Sequence, residues 1–182
     1  MPREILTTQR LLLRPPVESD TDSIMAMLGE WEVARNLSSP PHPYREEHAR
    51  AYVANSGRSR ADGSGYNFAI CRRADGAHIG MIGIRTQGER AFEMGYWIGR
   101  PFWSAGYATE AARRVADFAF AEIGLPQIVA GWFIDNPASG RVLAKLGFAD
   151  DGEDERHSHA RGQTVRSHRM ILDRAIWEKA AP

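Results

Sequence analysis

The chain has 182 residues, the size of one ordinary domain. Lys plus Arg and Asp plus Glu number 23 each, and this zero balance argues against a surface built for nucleic acid or anionic lipid. No run approaches the ~18 apolar residues of a membrane span, residues 1–13 lack a signal-peptide layout, and the lone Cys71 cannot form an internal disulfide, so a cytoplasmic protein is expected.

Taken in chain order, Arg10-Leu-Leu-Leu-Arg14 reads as a strand stopped by Pro15-Pro16. Asp20 or Asp22 can cap a helix carrying Ile24, Met27 and Leu28 and ending at Gly29. Residues 37–43 hold three prolines and two serines and read as a loop. A second helix starts near Arg45 with Ala49, Tyr52 and Val53, and the polar 57–65 stretch reads as another loop. Two strands, 67–73 and 78–85, flank Asp75-Gly76, a hairpin signal. Gly80 and Gly83 inside the second strand mark a bulge or a close backbone approach. Cys71 reads as a small core residue.

A strand over 91–98 leads through a turn-rich connector into a helix over 107–122. Ala111, Val115, Phe118 and Ala119 fall on one face of that helix. A buried strand over 127–134 follows, then a helix opened by Asn136-Pro137 and closed at Gly147. Weaker strands over 148–150 and 165–172 and a terminal helical turn with Trp177 complete the chain. The order β-α-α-β-β-β-α-β-α-β-β describes one domain over 1–182, a mixed sheet with helices on its faces.

The chemistry concentrates between Glu93 and Glu110. A strand enters a turn of small residues, Ser104, Ala105 and Gly106, and the turn opens a helix with Tyr107, Ala108 and Thr109. The first N–H groups of a helix lack internal partners and carry the positive end of its dipole, so this is an anion site that a pyrophosphate can approach closely.

Trp103-Ser-Ala-Gly-Tyr-Ala-Thr-Glu-Ala111 resembles the coenzyme A pyrophosphate loop of the GNAT acyltransferase superfamily. Within it, the resemblance is to the branch of the ribosomal-protein N-terminal acetyltransferases. Asn136-Pro-Ala-Ser-Gly-Arg-Val-Leu-Ala-Lys-Leu-Gly-Phe148 resembles the family's Asn-x-x-Ser-x-x-Val-Leu-x-Lys-Leu-Gly-Phe helix. Glu93-Met-Gly-Tyr-Trp-Ile98 and Arg10-Leu-Leu-Leu-Arg-Pro15 resemble the strand before the loop and the branch's opening strand. The resemblance spans nearly the whole chain. It implies the α+β GNAT fold: a mixed, mostly antiparallel twisted sheet of six to seven strands with helices on both faces.

It also implies transfer of an acetyl group from acetyl-coenzyme A to a primary amine, by direct attack in a ternary complex. The acceptor would be a protein or peptide N-terminal α-amine or a small-molecule amine, and the protein a monomer or homodimer. Trp97, Ile98, residues 104–109 (Ser104, Ala105, Gly106, Tyr107, Ala108, Thr109), Asn136, Ser139 and Arg141 would hold the coenzyme. Glu93 is the candidate base, directly or through water, and Ser139 the candidate hydroxyl beside the thioester, with Tyr96 and Tyr107 as alternatives for the acid role. No metal is implied, and His157 and His159 lack a third ligand at metal spacing. Two positions depart from the pattern. Ser104 and Ala105 replace the usual Gly and Lys or Arg of the loop, and Leu143 stands where many members carry a tyrosine. Weaker coenzyme binding is the expected cost, and a non-catalytic acetyl-coenzyme A-binding sensor or interaction protein of the same fold is the alternative reading that these departures keep open.

Overall fold

The computed structural model describes residues 4–87 and 91–180. Eight strands form one sheet: β1 (Leu6–Thr7), β2 (Leu11–Arg14), β3 (Gly65–Arg72), β4 (His78–Gln87), β5 (Ala91–Ile98), β6 (Gln127–Phe133), β7 (Ala149–Ser158) and β8 (Gln163–Asp173). Their spatial order is β1-β2-β3-β4-β5-β6-β8-β7. Every neighbouring pair is antiparallel except β5 and β6. Among the described residues the α-helices are α1 (Thr21–Gly29), α2 (Trp31–Ala34), α3 (Glu46–Asp62), α4 (Tyr107–Phe118), α5 (Pro137–Lys145) and α6 (Arg174–Ala180).

The period-two alternation of the strands divides the core between the two faces of the sheet. Phe68, Ile70, Ile82, Ile84 and Met94 face α4, whose buried stripe is the predicted Ala111, Val115 and Phe118. Phe118 is wedged edge-on between Tyr66 and Phe68, with ring centroids 5.3 and 5.4 Å away. Ala69, Cys71 and Met81 point the other way, toward Ile24, Leu28 and Val33 of α1 and α2 and Ala49 of α3. Cys71 is buried there, and burial pushes its thiol above the ordinary range, which suits a packing residue.

The sheet has one strand more than the expected upper bound, because residues 6–7 fold back on Leu12 and Leu13. A two-residue pairing has no periodicity to read. Residues 57–62, expected as loop, are the last turns of α3. That helix buries only Ala49 and Ser56, so its apolar stripe is too thin to announce its length. It stops at Gly63, which takes φ 76°, the left-handed conformation that glycine adopts without steric penalty. The last two strands are also longer than expected. They form a hairpin of 10 and 11 residues, and β7 lies at an edge where most side chains are exposed, so no apolar alternation marks it. The helix expected over 107–122 divides into α4 and a π-turn over Ala119–Ile123, ended by Gly124 at φ 78°.

Gly80 is the close approach expected of it. A Cβ there would sit 2.2 Å from the carbonyl oxygen of Trp97, beside a bulge where β4 shifts register against Ile70 and Cys71. Backbone cannot retreat as a flexible side chain can. Gly80→Ala is therefore expected to destabilise the fold by about 3 kcal/mol, read from urea denaturation.

Candidate active site

The site is built where two parallel strands part. β5 and β6 pair only through Phe92↔Ile128, Glu93↔Val129 and Met94↔Ala130. Beyond Met94, β5 stays with β4 as far as Ile98, and β6 stays with β8 as far as Phe133. A cleft therefore opens between Tyr96–Ile98 and 131–133. Main-chain groups along its two inner edges have no strand to pair with, and an extended amide-bearing chain supplies the matching partners. The carbonyl of Ile98 is already engaged: it accepts the indole Nε1 of Trp103 at 2.7 Å, which ties down the loop that follows.

That loop keeps its geometry despite its altered residues. Ser104 takes φ 62° and Gly106 φ 80°. The family's usual glycine at the first position thus answers a left-handed backbone, which Ser104 adopts at a steric cost. Ser104→Gly is expected to stabilise the protein by about 1 kcal/mol in urea denaturation and to keep its activity. Gly106 sits at the N-cap of α4, and Tyr107, Ala108 and Thr109 form the first turn. The loop residues that the sequence singled out are thus gathered at one helix start, at the mouth of the cleft. The carbonyl of Ala105 is turned the other way and accepts Nη1 of Arg10 at 3.0 Å.

Across the cleft, the N-terminus of α5 brings Ser139 to Tyr96. The phenol oxygen lies 2.8 Å from Ser139 Oγ and donates to the Ser139 carbonyl at 3.1 Å. Tyr96 is two residues past the last β5–β6 pair, so this hydroxyl pair stands where the strands diverge. Burial pushes the Tyr96 phenol up to about 12, only partly offset by its bond to Ser139, and keeps it protonated. Asn136 precedes α5 as expected, but its side chain makes no capping bond. The turn is closed instead by main chain, with Asn136 N donating to Phe133 O at 2.7 Å and Ser139 N to Asn136 O at 3.1 Å. Its amide therefore remains available to a ligand. Arg141 is exposed on α5.

Glu93 and Trp97 lie on the opposite face of β5 from Tyr96, on the side of α1–α3. Trp97 packs against that cluster and meets His78 edge-on at 6.4 Å. Glu93 is buried, and Arg156 of β7 holds its carboxylate in a direct ion pair, with Arg85 Nη2 at 3.9 Å. Burial opposes the charge on Arg156, but its bonds to Glu93 and Asp154 raise its pKa above the ordinary value. To reach Glu93 the guanidinium crosses Gly131: a Cβ there would lie 2.7 Å from its Cζ.

Arg156 was not legible in the sequence, because it stands in a polar edge strand without apolar alternation. A trace is Gly131, the glycine that it covers. Arg10 and the Tyr96–Ser139 pairing were equally hidden, since both join residues far apart in the chain. Among the described residues, no group of three or more His, Cys, Asp or Glu side chains is placed to hold a metal ion, and no helix is long and apolar enough to cross a membrane.

Comparison with known proteins identifies the family and the fold. Residues 10–149 match the family model described as acetyltransferase (GNAT) domain. The N-acetyltransferase YoaA of Bacillus subtilis (strain 168), itself uncharacterized, is 34% identical over 155 residues, covering 81% of this chain and 84% of that protein. RimL, a ribosomal L7/L12 α-N-protein acetyltransferase solved with coenzyme A, superposes with a TM-score of 0.82 at 18% identity, covering 93% of this chain and 98% of that one. The ribosomal-protein-S5-alanine acetyltransferase of Vibrio fischeri gives 0.81 at 18% identity, covering 95% and 98%. At such identities the structures speak for the fold, and the family rests on the sequence match. The chain belongs to the GNAT acetyltransferase family and is an acetyl-coenzyme A-dependent N-acetyltransferase.

Proposed function

We propose that this enzyme acetylates the α-amine of a protein or peptide N-terminus, by direct attack on acetyl-coenzyme A bound in the β5–β6 cleft. The loop 104–109 holds the pyrophosphate through its outward N–H groups. The cleft edges and the Asn136 amide hold the pantetheine arm. The amine approaches from the Glu93 side and meets the thioester where the strands part. A main-chain N–H of β5 receives the charge that develops on the thioester oxygen. The Ser139 hydroxyl, oriented by Tyr96, hydrogen-bonds the departing sulfur. Glu93 takes the amine's proton through a bridging water.

The observation that carries the choice of acceptor is the pairing of Glu93 with Arg156. Arg156 holds that carboxylate fixed on the amine's side of β5, where it can receive the amine's hydrogen bond, and the amine that needs least help to become neutral is favoured. An α-amine has a pKa of roughly 7.7–8.0, against about 10.4 for lysine. The names of the RimL and Vibrio fischeri neighbours, both acetyltransferases of ribosomal proteins, point the same way.

The test is a peptide panel at neutral pH. One set has free N-termini and no lysine; the other is N-terminally blocked and carries one lysine. The free α-amine is expected to be favoured in kcat/KM by roughly two to three orders of magnitude, as the ~2.5-unit gap in basicity implies. Equal or faster acetylation of lysine would overturn this choice of acceptor.

A further inference from the structure

Helices cover both faces of the sheet, yet Gly95, in the middle of its fifth strand, is exposed. It lies on the α1–α3 face, between Glu93 and Trp97 along β5. Its neighbours across the sheet are glycines too. Gly83 of β4 is its register partner, and Gly131 of β6 follows the last β5–β6 pair, Met94↔Ala130. Packing accounts for both of these. A Cβ on Gly83 would lie 2.3 Å from Oδ1 of Asn67, whose Nδ2 donates to Ser56 Oγ of α3 at 3.2 Å. A Cβ on Gly131 would lie 2.7 Å from Cζ of Arg156. A Cβ on Gly95 would meet nothing within 4 Å among the described residues. Its backbone does not demand glycine either, since its φ lies outside the left-handed region.

A glycine inside a strand weakens it, and one that neither packing nor φ requires marks a close approach by a ligand or another backbone. Gly95 is one residue past the last β5–β6 pair, so the bare floor opens beside the point where the strands part. Glu93 and Trp97 bound it along the strand, and the side chains over Gly83 and Gly131 bound it across the sheet. Strands lie about 4.8 Å apart, so the gap between those two side chains admits one extended residue and no bulky one. We propose that Gly95 sets which first residue the acceptor carries. That residue lies flat on the Gly95 main chain, with its amine toward Glu93 and its side chain over the bare floor. The acceptors it admits begin with a small residue. The inference rests on the reading that an N-terminal amine approaches from the Glu93 side.

The experiment compares Gly95→Ala with the parent on lysine-free peptides that begin with glycine, alanine or leucine and are otherwise identical. Calorimetric titration gives the affinity for coenzyme A, and the apo melting temperature checks the fold. The parent is expected to favour glycine and alanine over leucine by about tenfold or more in kcat/KM. Gly95→Ala is expected to lose about threefold on the glycine peptide and about thirtyfold on the alanine peptide, mainly through KM. Its affinity for coenzyme A is expected to stay within about twofold of the parent, and its melting temperature to rise by about 1–4 °C, as for a glycine replaced where there is room. Unchanged kcat/KM in the variant, or equal use of leucine by the parent, overturns the inference. Equal losses on the glycine and alanine peptides, a weakened coenzyme affinity or a lowered melting temperature would assign Gly95 to the coenzyme, the thioester or the sheet, and overturn it too. A parent that acetylates lysine peptides and no free N-terminus overturns the acceptor reading instead, and that failure is read before any variant is made.

Discussion

Ser139→Ala is expected to slow acetyl transfer about a hundredfold in kcat and to leave KM for acetyl-coenzyme A within about threefold. The leaving sulfur is better stabilised by a hydroxyl in the transition state than in the ground state, so losing that hydroxyl acts on the rate rather than on binding. The fold has little at stake. Tyr96 keeps its bond to the Ser139 carbonyl, and the Oγ that disappears has Tyr96 as its neighbour in the cleft. Burial holds the Tyr96 phenol up at about 12, so it stays protonated and free to hydrogen-bond. Its expected role is to aim Ser139. Tyr96→Phe is therefore expected to cost about tenfold, and the double variant no more than Ser139→Ala alone, since both substitutions interrupt one relay. Thiol release followed continuously gives all the rates. Ser139→Ala with more than half the parent rate would remove the hydroxyl from the mechanism.

Glu93→Gln is expected to lower kcat/KM by about a hundredfold and to move the alkaline rise of the pH profile upward. With the carboxylate present, a protonated amine can be discharged within the site. With the amide, only the amine already neutral in solution reacts, so the rise follows the acceptor's own titration toward alkaline pH. The substitution keeps the shape of the side chain, and Arg156 retains Asp154, whose Oδ2 lies 3.3 Å from its Nε. Folding is thus expected to survive. A profile superimposable on that of the parent would exclude Glu93 as the route for the proton.

Much of this was legible in the sequence, and what was hidden has a common cause. β5 matches its expected bounds because Phe92, Met94, Tyr96 and Ile98 alternate along it up to Gly99. The face of α4 was readable because one helix writes it in its own periodicity. The loop could be placed because strand, small residues and helix are contiguous. The Glu93–Arg156 pair, the Tyr96–Ser139 pair and the Arg10 contact with Ala105 span 63, 43 and 95 residues, and no local pattern records such meetings. At Ser104, where the resembled loop has glycine, the backbone keeps the left-handed turn that glycine would have made easy. Leu143, where the resemblance leads one to expect tyrosine, is fully buried in the core, and the hydroxyls beside the cleft are those of Ser139 and Tyr96.

The most direct test of the central claim is a thermal melt of the unmodified protein with acetyl-coenzyme A, with coenzyme A and ATP in parallel. At about a hundred times its dissociation constant, a ligand of the folded state adds about 2.7 kcal/mol, or roughly 5–11 °C for a chain of this size. A rise of that order with both coenzyme A forms, and none with ATP, is the predicted result. A melting temperature unmoved by millimolar acetyl-coenzyme A would contradict the assignment of loop 104–109 and the β5–β6 cleft as its site.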